Sequence, residues 1–136
     1  MAKKQILPLS KVYQLLEPGP VVMVSTAYQG EVNVMPLSWL MMIDFNPPIF
    51  SFVLSNRNYS FKLLQKSKEC VVNIPTVSIA KKIIQCGTTS GRKIDKFQKF
   101  KLTPVKATKV EAPLIDECYA SIECKVIDST LANKYN

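Results

Sequence analysis

The sequence predicts a mainly β chain, a β-barrel decorated by a few short helices. Three observations predict it. Short apolar runs rich in β-branched and aromatic residues, at Val21 to Ala27, Ile49 to Leu54 and Cys70 to Ile74, are bounded by Pro, Gly and Asn. The stretch from Tyr119 to Asp128 alternates, with Ala120, Ile122, Cys124 and Val126 on one side and Ser121, Glu123 and Lys125 on the other. The helical patterns between these runs are short.

Taken in order, Ser10 is suited to cap a short helix carrying Val12, Leu15 and Leu16, ended by Pro18-Gly19-Pro20. Val21 to Ala27 is apolar without alternation, as a strand buried on both faces is. Gln29-Gly30 marks a turn. The next strand is expected from about Glu31 to Met35, with Pro36 stopping it. Leu37 to Met42 is bulky and sulfur-rich, and Asn46-Pro47-Pro48 is a second break. After the strand at Ile49 to Leu54, a helix is predicted over Tyr59 to Lys68, with Phe61 and Leu64 on one face and Lys62, Gln65 and Lys66 largely outside. Pro75 stops the Cys70 to Ile74 strand.

Thr76 is suited to cap a helix from Val77 to about Cys86, whose apolar face holds Ile79, Ala80, Ile83 and Ile84 and whose C-terminal cap is Gly87. Thr88 to Arg92 is a polar loop, and Ile94, Phe97 and Phe100 have the spacing of a short helix. A strand is expected around Val105 to Val110. Nothing regular is expected after Asp128, so the last strand is either an edge or awaits a further element. There is no internal repeat and no interdomain linker, which predicts one domain over residues 1–136.

Composition narrows the chemistry. The chain has 136 residues, of which 47% are hydrophobic, enough for a single core. No apolar run approaches the roughly 20 residues that span a bilayer, and Met-Ala-Lys-Lys-Gln-Ile lacks the apolar core of a signal peptide. A cytoplasmic protein with no membrane partner is expected. The net charge of +8 is compatible with nucleic acid, anionic ligands or a membrane surface as partners, and most commonly with a simple solvated basic surface. Cys70, Cys86, Cys118 and Cys124 form no C-x-x-C pair and are expected to be buried, reduced thiols. There is no His, which argues against zinc sites of the usual spacing and excludes Ser-His and Cys-His catalysis. A reaction on this chain runs on a cofactor, or on Lys, Tyr, Cys or a carboxylate.

Ser55-Asn56-Arg57-Asn58-Tyr59-Ser60 sits between a strand and a helix. Free N–H groups and the helix dipole favour an anion there, and the Arg fork adds charge-assisted hydrogen bonds. Ser and Asn also cap helices that bind nothing, so the residues alone leave both readings open.

Two other segments stand out, Asn33-Val34-Met35-Pro36-Leu37-Ser38-Trp39 and Cys86-Gly87-Thr88-Thr89-Ser90-Gly91-Arg92-Lys93-Ile94-Asp95-Lys96-Phe97. With Pro20 to Thr26, Phe45-Asn46-Pro47-Pro48, Val71 to Pro75, Ala112 to Ile115 and Ile122 to Val126, these blocks follow one another collinearly in a way that resembles the flavin reductase-like FMN-binding domains, which include flavoredoxins. The most specific block is Cys-Gly-x-x-Ser-Gly-x-x-x-Asp-Lys-Phe.

The resemblance implies a split β-barrel that binds FMN, usually as a homodimer with the flavin near the subunit interface. It implies reduction of the flavin by NADH or NADPH, hydride passing from nicotinamide to flavin N5, with some members supplying a partner oxygenase or other electron acceptor. The alternative within the family is an FMN-binding electron carrier without its own NAD(P)H site. Family domains usually continue beyond the point at which this chain ends. On this reading Ser55, Arg57, Asn58, Tyr59 and Ser60 hold the phosphate. Met35, Pro36, Leu37, Ser38 and Trp39 form the slot for the ring, unless Met35, Leu37 and Trp39 are core. Ser90, Gly91, Lys96 and Phe97 belong to a loop closing over the cofactor, with Lys96 on the phosphate or the nicotinamide nucleotide, or else on a solvated helix face. Asp95 is a cap or an ion-pair partner. No side chain need be catalytic, because the cofactor carries the chemistry. Arg92 to Lys101 also interleaves charges and aromatics as a nucleic-acid surface does, but Phe97 and Phe100 share helical spacing with Ile94, which favours the core and disfavours nucleic acid.

Overall fold

The structure is a computed structural model, and it describes residues 6–12, 15 and 20–135. Its main sheet is antiparallel, in the order β2-β1-β5-β8, built from β1 (Val22–Tyr28), β2 (Glu31–Leu37), β5 (Glu69–Ile74) and β8 (Ala120–Lys125). A separate hairpin pairs β3 (Leu40–Phe45) with β4 (Pro48–Phe52), and a short ladder pairs β6 (Pro104–Val105) with β7 (Leu114–Ile115). Among the described residues the sheets do not close into one continuous barrel. Helices α1 (Tyr59–Ser67), α2 (Ala80–Gly87), α3 (Lys96–Phe100) and α4 (Thr130–Tyr135) decorate them.

The unbroken apolar run of β1 has the predicted consequence. Val22 and Val24 enter one cluster with Leu37, Leu54, Leu64, Cys70, Val72 and Ile74. Met23, between them, enters a second cluster with Val34, Ile79, Cys86, Phe97, Leu102, Ile115 and Cys118. The period of two thus delivers successive side chains to opposite cores. The hairpin packs Leu40, Met42, Phe50 and Phe52 against the first cluster. It leaves Met41, Ile43 and Phe45 facing out, at 64%, 62% and 58% exposure.

Several boundaries differ from expectation. Pro36 does not stop β2; it pairs with Met23 and the strand runs on to Leu37. β2 is the outer strand of the sheet, where a residue without an N–H costs no ladder bond on its free side. β3 arises from the segment that the sequence left unassigned. Thr76 makes no side-chain cap; a 3₁₀ turn over Val77–Ile79 precedes α2. Ile84 is 66% exposed and Ala80 is also exposed, so the inward face of this segment is Ile79, Ile83 and Cys86. Gly87 is the last residue of α2 rather than its cap, which is Thr88. A Cβ on Gly87 would lie 3.0 Å from Pro36 Cγ, so its value is close approach.

The strand expected over Val105 to Val110 shrinks to Pro104–Val105, and α4 follows β8 where nothing regular was expected. Near the start, a 3₁₀ turn covers Leu9–Lys11, and Leu15 packs on the first cluster. The rest of the helix expected there, including Leu16 and Pro18-Gly19, lies outside the described residues. Gln29 and Gly30 form the expected turn with φ of 50° and 81°. Cys70, Cys86 and Cys118 are buried free thiols, and Cys124 is half-buried.

Between the two cores most buried polar groups are matched, with Thr26 Oγ1 an exception. Asn73 is fully buried, and its amide nitrogen donates to Met23 O at 3.2 Å and to Ser25 Oγ at 3.1 Å. Its Oδ1 accepts from Ile115 N–H at 3.0 Å and Ser121 Oγ at 2.8 Å. One side chain therefore joins β1, β7 and β8 from β5. Asn73→Ala should lower unfolding free energy by about 3 kcal/mol, because several buried partners lose their match at once. A chemical-denaturation midpoint unchanged from wild type would refute this role.

Two carboxylates pin the connections around β6 and β7. Glu117 accepts from Thr103 N–H at 3.0 Å, and Glu123 accepts from Thr108 N–H at 3.1 Å and Lys109 N–H at 2.5 Å. Burial pushes both carboxyls up, but these backbone donors outweigh it and hold each below its ordinary 4.5. A depressed folded pKa contributes stability above the ordinary carboxylate range, and that stability is lost as pH falls through the folded value. Stability should therefore decline below about pH 4.5, and Glu123→Gln should flatten the decline. Denaturant titrations across the acid range check this, and equal slopes for both proteins would count against it.

Candidate functional site

The three segments singled out from the sequence meet at one cavity of about 280 Å³. β2 contributes Asn33, Met35 and Pro36 to its wall. The entry to α1 contributes Arg57, Asn58, Tyr59 and Ser60. The end of α2 and the following loop contribute Cys86 through Gly91, and Lys96 completes the lining.

The α1 entry forms locally. Ser55 accepts twice, its carbonyl from Asn58 N–H at 3.0 Å and its Oγ from Arg57 N–H at 3.3 Å, making the turn that leads into the helix. Ser55 thereby shapes the entry without lining the cavity. Asn58 is the N-cap residue but makes no side-chain cap bond, which leaves the positive end of a nine-residue helix turned to the cavity. The Arg57 side chain is exposed. Tyr59 donates its hydroxyl to Glu31, which raises the phenol pKa and lowers that of the carboxyl.

Ser60 is fully buried, and its Oγ accepts from Asn33 Nδ2 at 2.8 Å. Asn33 also dictates Gly91. A Cβ at Gly91 would sit 2.0 Å from Asn33 Oδ1, so only glycine lets the loop lie against β2. Gly91 thus makes its close approach to a side chain of the protein. Thr88 and Thr89 turn their hydroxyls back onto Ile84 O (3.1 Å) and Gln85 O (2.8 Å), closing the C-terminus of α2. Ser90 carries the turn onward, accepting from Arg92 N–H at its Oγ and from Lys93 N–H at its carbonyl.

Lys96 is not on a solvated face. It is 5% exposed, and its ammonium donates to Cys86 O at 2.8 Å and Val34 O at 3.0 Å. It ties the end of α2 to β2 at the cavity wall. Burial pulls its pKa down, and in the same place burial pushes the Cys86 thiol up. Asp95 acts as the cap of α3, accepting from Gln98 N–H at 3.1 Å.

Other candidates stand apart from the lining. Leu37 and Phe97 are each 6% exposed and belong to the two cores. Ser38 is exposed, and Trp39 is 72% exposed. With Phe97 in the core and Phe100 packed against it, these rings are not free to stack on bases. Sequence reasoning did not mark Asn33, Thr88 or Thr89 individually. The period of two along β2 holds the signal for Asn33, which lies two residues from Met35. Among the described residues no group of His, Cys, Asp or Glu is placed to hold a metal ion, and no helix is long and apolar enough to cross a membrane.

Residues 15–135 match the family model described as flavin reductase like domain. The chain belongs to this family. Its fold agrees: an FMN-binding domain of a flavin reductases-like enzyme from Shewanella baltica superposes with a TM-score of 0.90 at 28% identity, over 95% of this chain and 69% of that one. The flavoredoxin of Desulfovibrio vulgaris gives a TM-score of 0.77 at 26% identity, over 94% of this chain and 68% of that one. An uncharacterized protein of Archaeoglobus fulgidus is 36% identical over 95 residues, 70% of this chain and 54% of that protein. The match thus spans about half the length of that relative. The open sheets around a common core are the split β-barrel of flavin reductase-like domains.

In this flavin reductase-like chain the contact between Gly91 and Asn33 couples the loop, β2 and α1. Gly91→Ala should displace the Asn33 amide, break its bond to Ser60 and destabilise the protein by about 1–3 kcal/mol. Thermal unfolding measures this. A protein as stable as wild type would show that the loop can move away freely.

Proposed function

We propose that the chain binds FMN in this cavity and acts as a flavin reductase-like NAD(P)H oxidoreductase. The observation that carries the reading is the meeting of β2, the α1 entry and the Gly87 to Gly91 loop at one cavity with a cation at its rim and an uncapped helix N-terminus. Arg57, the N–H groups of Tyr59 and Ser60 and the Ser90 hydroxyl are donors suited to a phosphate. Met35 and Pro36, on the wall of the cavity, would meet the ring of bound FMN. Trp39, left in water on the adjoining segment, has an indole face available to cover it. Lys96 and Asn33 hold the walls, and the exposed Ser38 would be available to the ring edge. Bound FMN would supply the acceptor for hydride from NADH or NADPH; the chain would supply binding, orientation and a positive environment.

The outward Met41, Ile43 and Phe45 of the β3–β4 hairpin, with Val53 beside it, support a homodimer, since an apolar face of this kind favours a second copy over water. Free thiols and a nicotinamide donor fit a cytoplasmic setting. The reduced flavin would pass its electrons to a partner oxygenase or another acceptor.

The purified protein should be yellow, or turn yellow with FMN, and bleach without oxygen when NADH or NADPH is added. Arg57→Ala should weaken FMN binding by about 1.5–3 kcal/mol, roughly tenfold to a hundredfold. A protein that binds no FMN would overturn the proposal. Flavin that binds, but bleaches only through an added reductase, would select an electron carrier of the flavoredoxin kind.

A further inference from the structure

Two of the thiols face each other across the main sheet. Cys70 on β5 and Cys124 on β8 are directly opposed in the antiparallel register. Opposed residues share one face of a sheet, with Cα atoms about 4.5–5.5 Å apart, inside the range that a disulfide spans. Both side chains meet the first apolar cluster, Cys70 within it at 1% exposure and Cys124 packed against it. Among the described residues β8 is the outer strand on this side of the sheet, and Cys124 is half-buried. Cys86 and Cys118 belong to the second cluster.

The two sulfurs stand in different environments. A hydrogen bond to Cys124, together with burial, pushes the Cys70 thiol well above its ordinary range. Cys70 is therefore held as a thiol, out of reach of solvent. Cys124 donates to Ile122 O at 3.2 Å and is the sulfur that a small solute can reach. A reachable thiol with a shielded one opposite it is suited to attack and resolution in turn.

We propose that Cys70 and Cys124 are a peroxide-sensitive dithiol whose disulfide latches the outer strand β8 to β5. The Cys124 sulfur attacks one oxygen of a peroxide. The O–O bond breaks, Cys124 becomes a sulfenic acid, and the departing hydroxide takes the thiol proton as water. The Cys70 sulfur then attacks the Cys124 sulfur. The S–S bond forms, the S–O bond breaks, and a second water carries away the Cys70 proton. The dithiol has lost two electrons and two protons, and one hydrogen peroxide has become two waters. Small thiols reopen such a bridge by exchange. The pair shares no lining residue with the cavity and does not rest on the flavin reading.

Hydrogen peroxide added to the folded, reduced protein, followed by peptide mapping without reductant, tests it. The intact mass should fall by about 2 Da, for two hydrogens lost. One cross-linked peptide should carry Cys70 and Cys124, and dithiothreitol should undo both changes. The oxidised protein should melt at a higher temperature than the reduced one, because the bridge constrains the unfolded chain. Cys124→Ser should show neither the mass loss nor the melting shift, and Cys118→Ser should keep both. No bridge, a Cys124 that runs on to sulfinic acid, or a bridge through Cys86 or Cys118 in its place would overturn the proposal. An oxidised protein that melts no higher than the reduced one would contradict the latch. The mapping needs only the wild-type protein, so it decides the matter even if a serine variant misfolds.

Discussion

Val22 and Val24 enter one apolar cluster while Met23 enters the other, so neither face of β1 meets water at this end of the strand. This double burial constrains everything packed around it. Each face needs a cover: α1, the hairpin and β8 supply one, α2 and α3 the other. Each polar group trapped between the covers needs a partner, because an unmatched one costs about 1–3 kcal/mol. Asn73 meets most of that need, reaching β1, β7 and β8 at once.

The same constraint locates the site. β2 forms the outer margin of the sheet, and there the apolar layers give way to Asn33, Met35 and Pro36. Asn33 binds Ser60 at the start of α1 and leaves no space for a side chain at Gly91. Lys96 reaches from α3 to the carbonyls of Val34 and Cys86. Two polar side chains, both buried, therefore set the relative positions of a strand, a helix entry and a loop. Two carbonyl acceptors offset part of the cost of burying this ammonium, and they make Lys96 a brace for the cavity wall.

Much of this was legible in the sequence. Continuous apolar runs marked β1 and β5 because fully buried strands have no solvent face to alternate with. Alternation marked β8, whose outer side carries Glu123 to the Thr108 and Lys109 amides. The collinear motifs marked the family and the segments that line the cavity. What misled was local punctuation. Pro36 reads as a stop, but an outer strand tolerates it; Gly87 reads as a cap, but it makes room for Pro36.

By itself the sequence determined the fold class, the strands with strong apolar signals and the family, because these depend on the period and order of side chains along the chain. Only the tertiary structure decided which candidates face the cavity. Lys96 reads as a ligand-binding lysine or an exposed helix lysine until β2 and α2 bring two carbonyls to it. Phe97 reads both as a residue of the closing loop and as a core residue by its helical spacing, and its burial in the second core decides for the latter. Asn33 acquires its place only when Ser60, 27 residues on, comes within hydrogen-bond reach. These contacts join residues far apart in sequence, and no local pattern encodes which of them will meet.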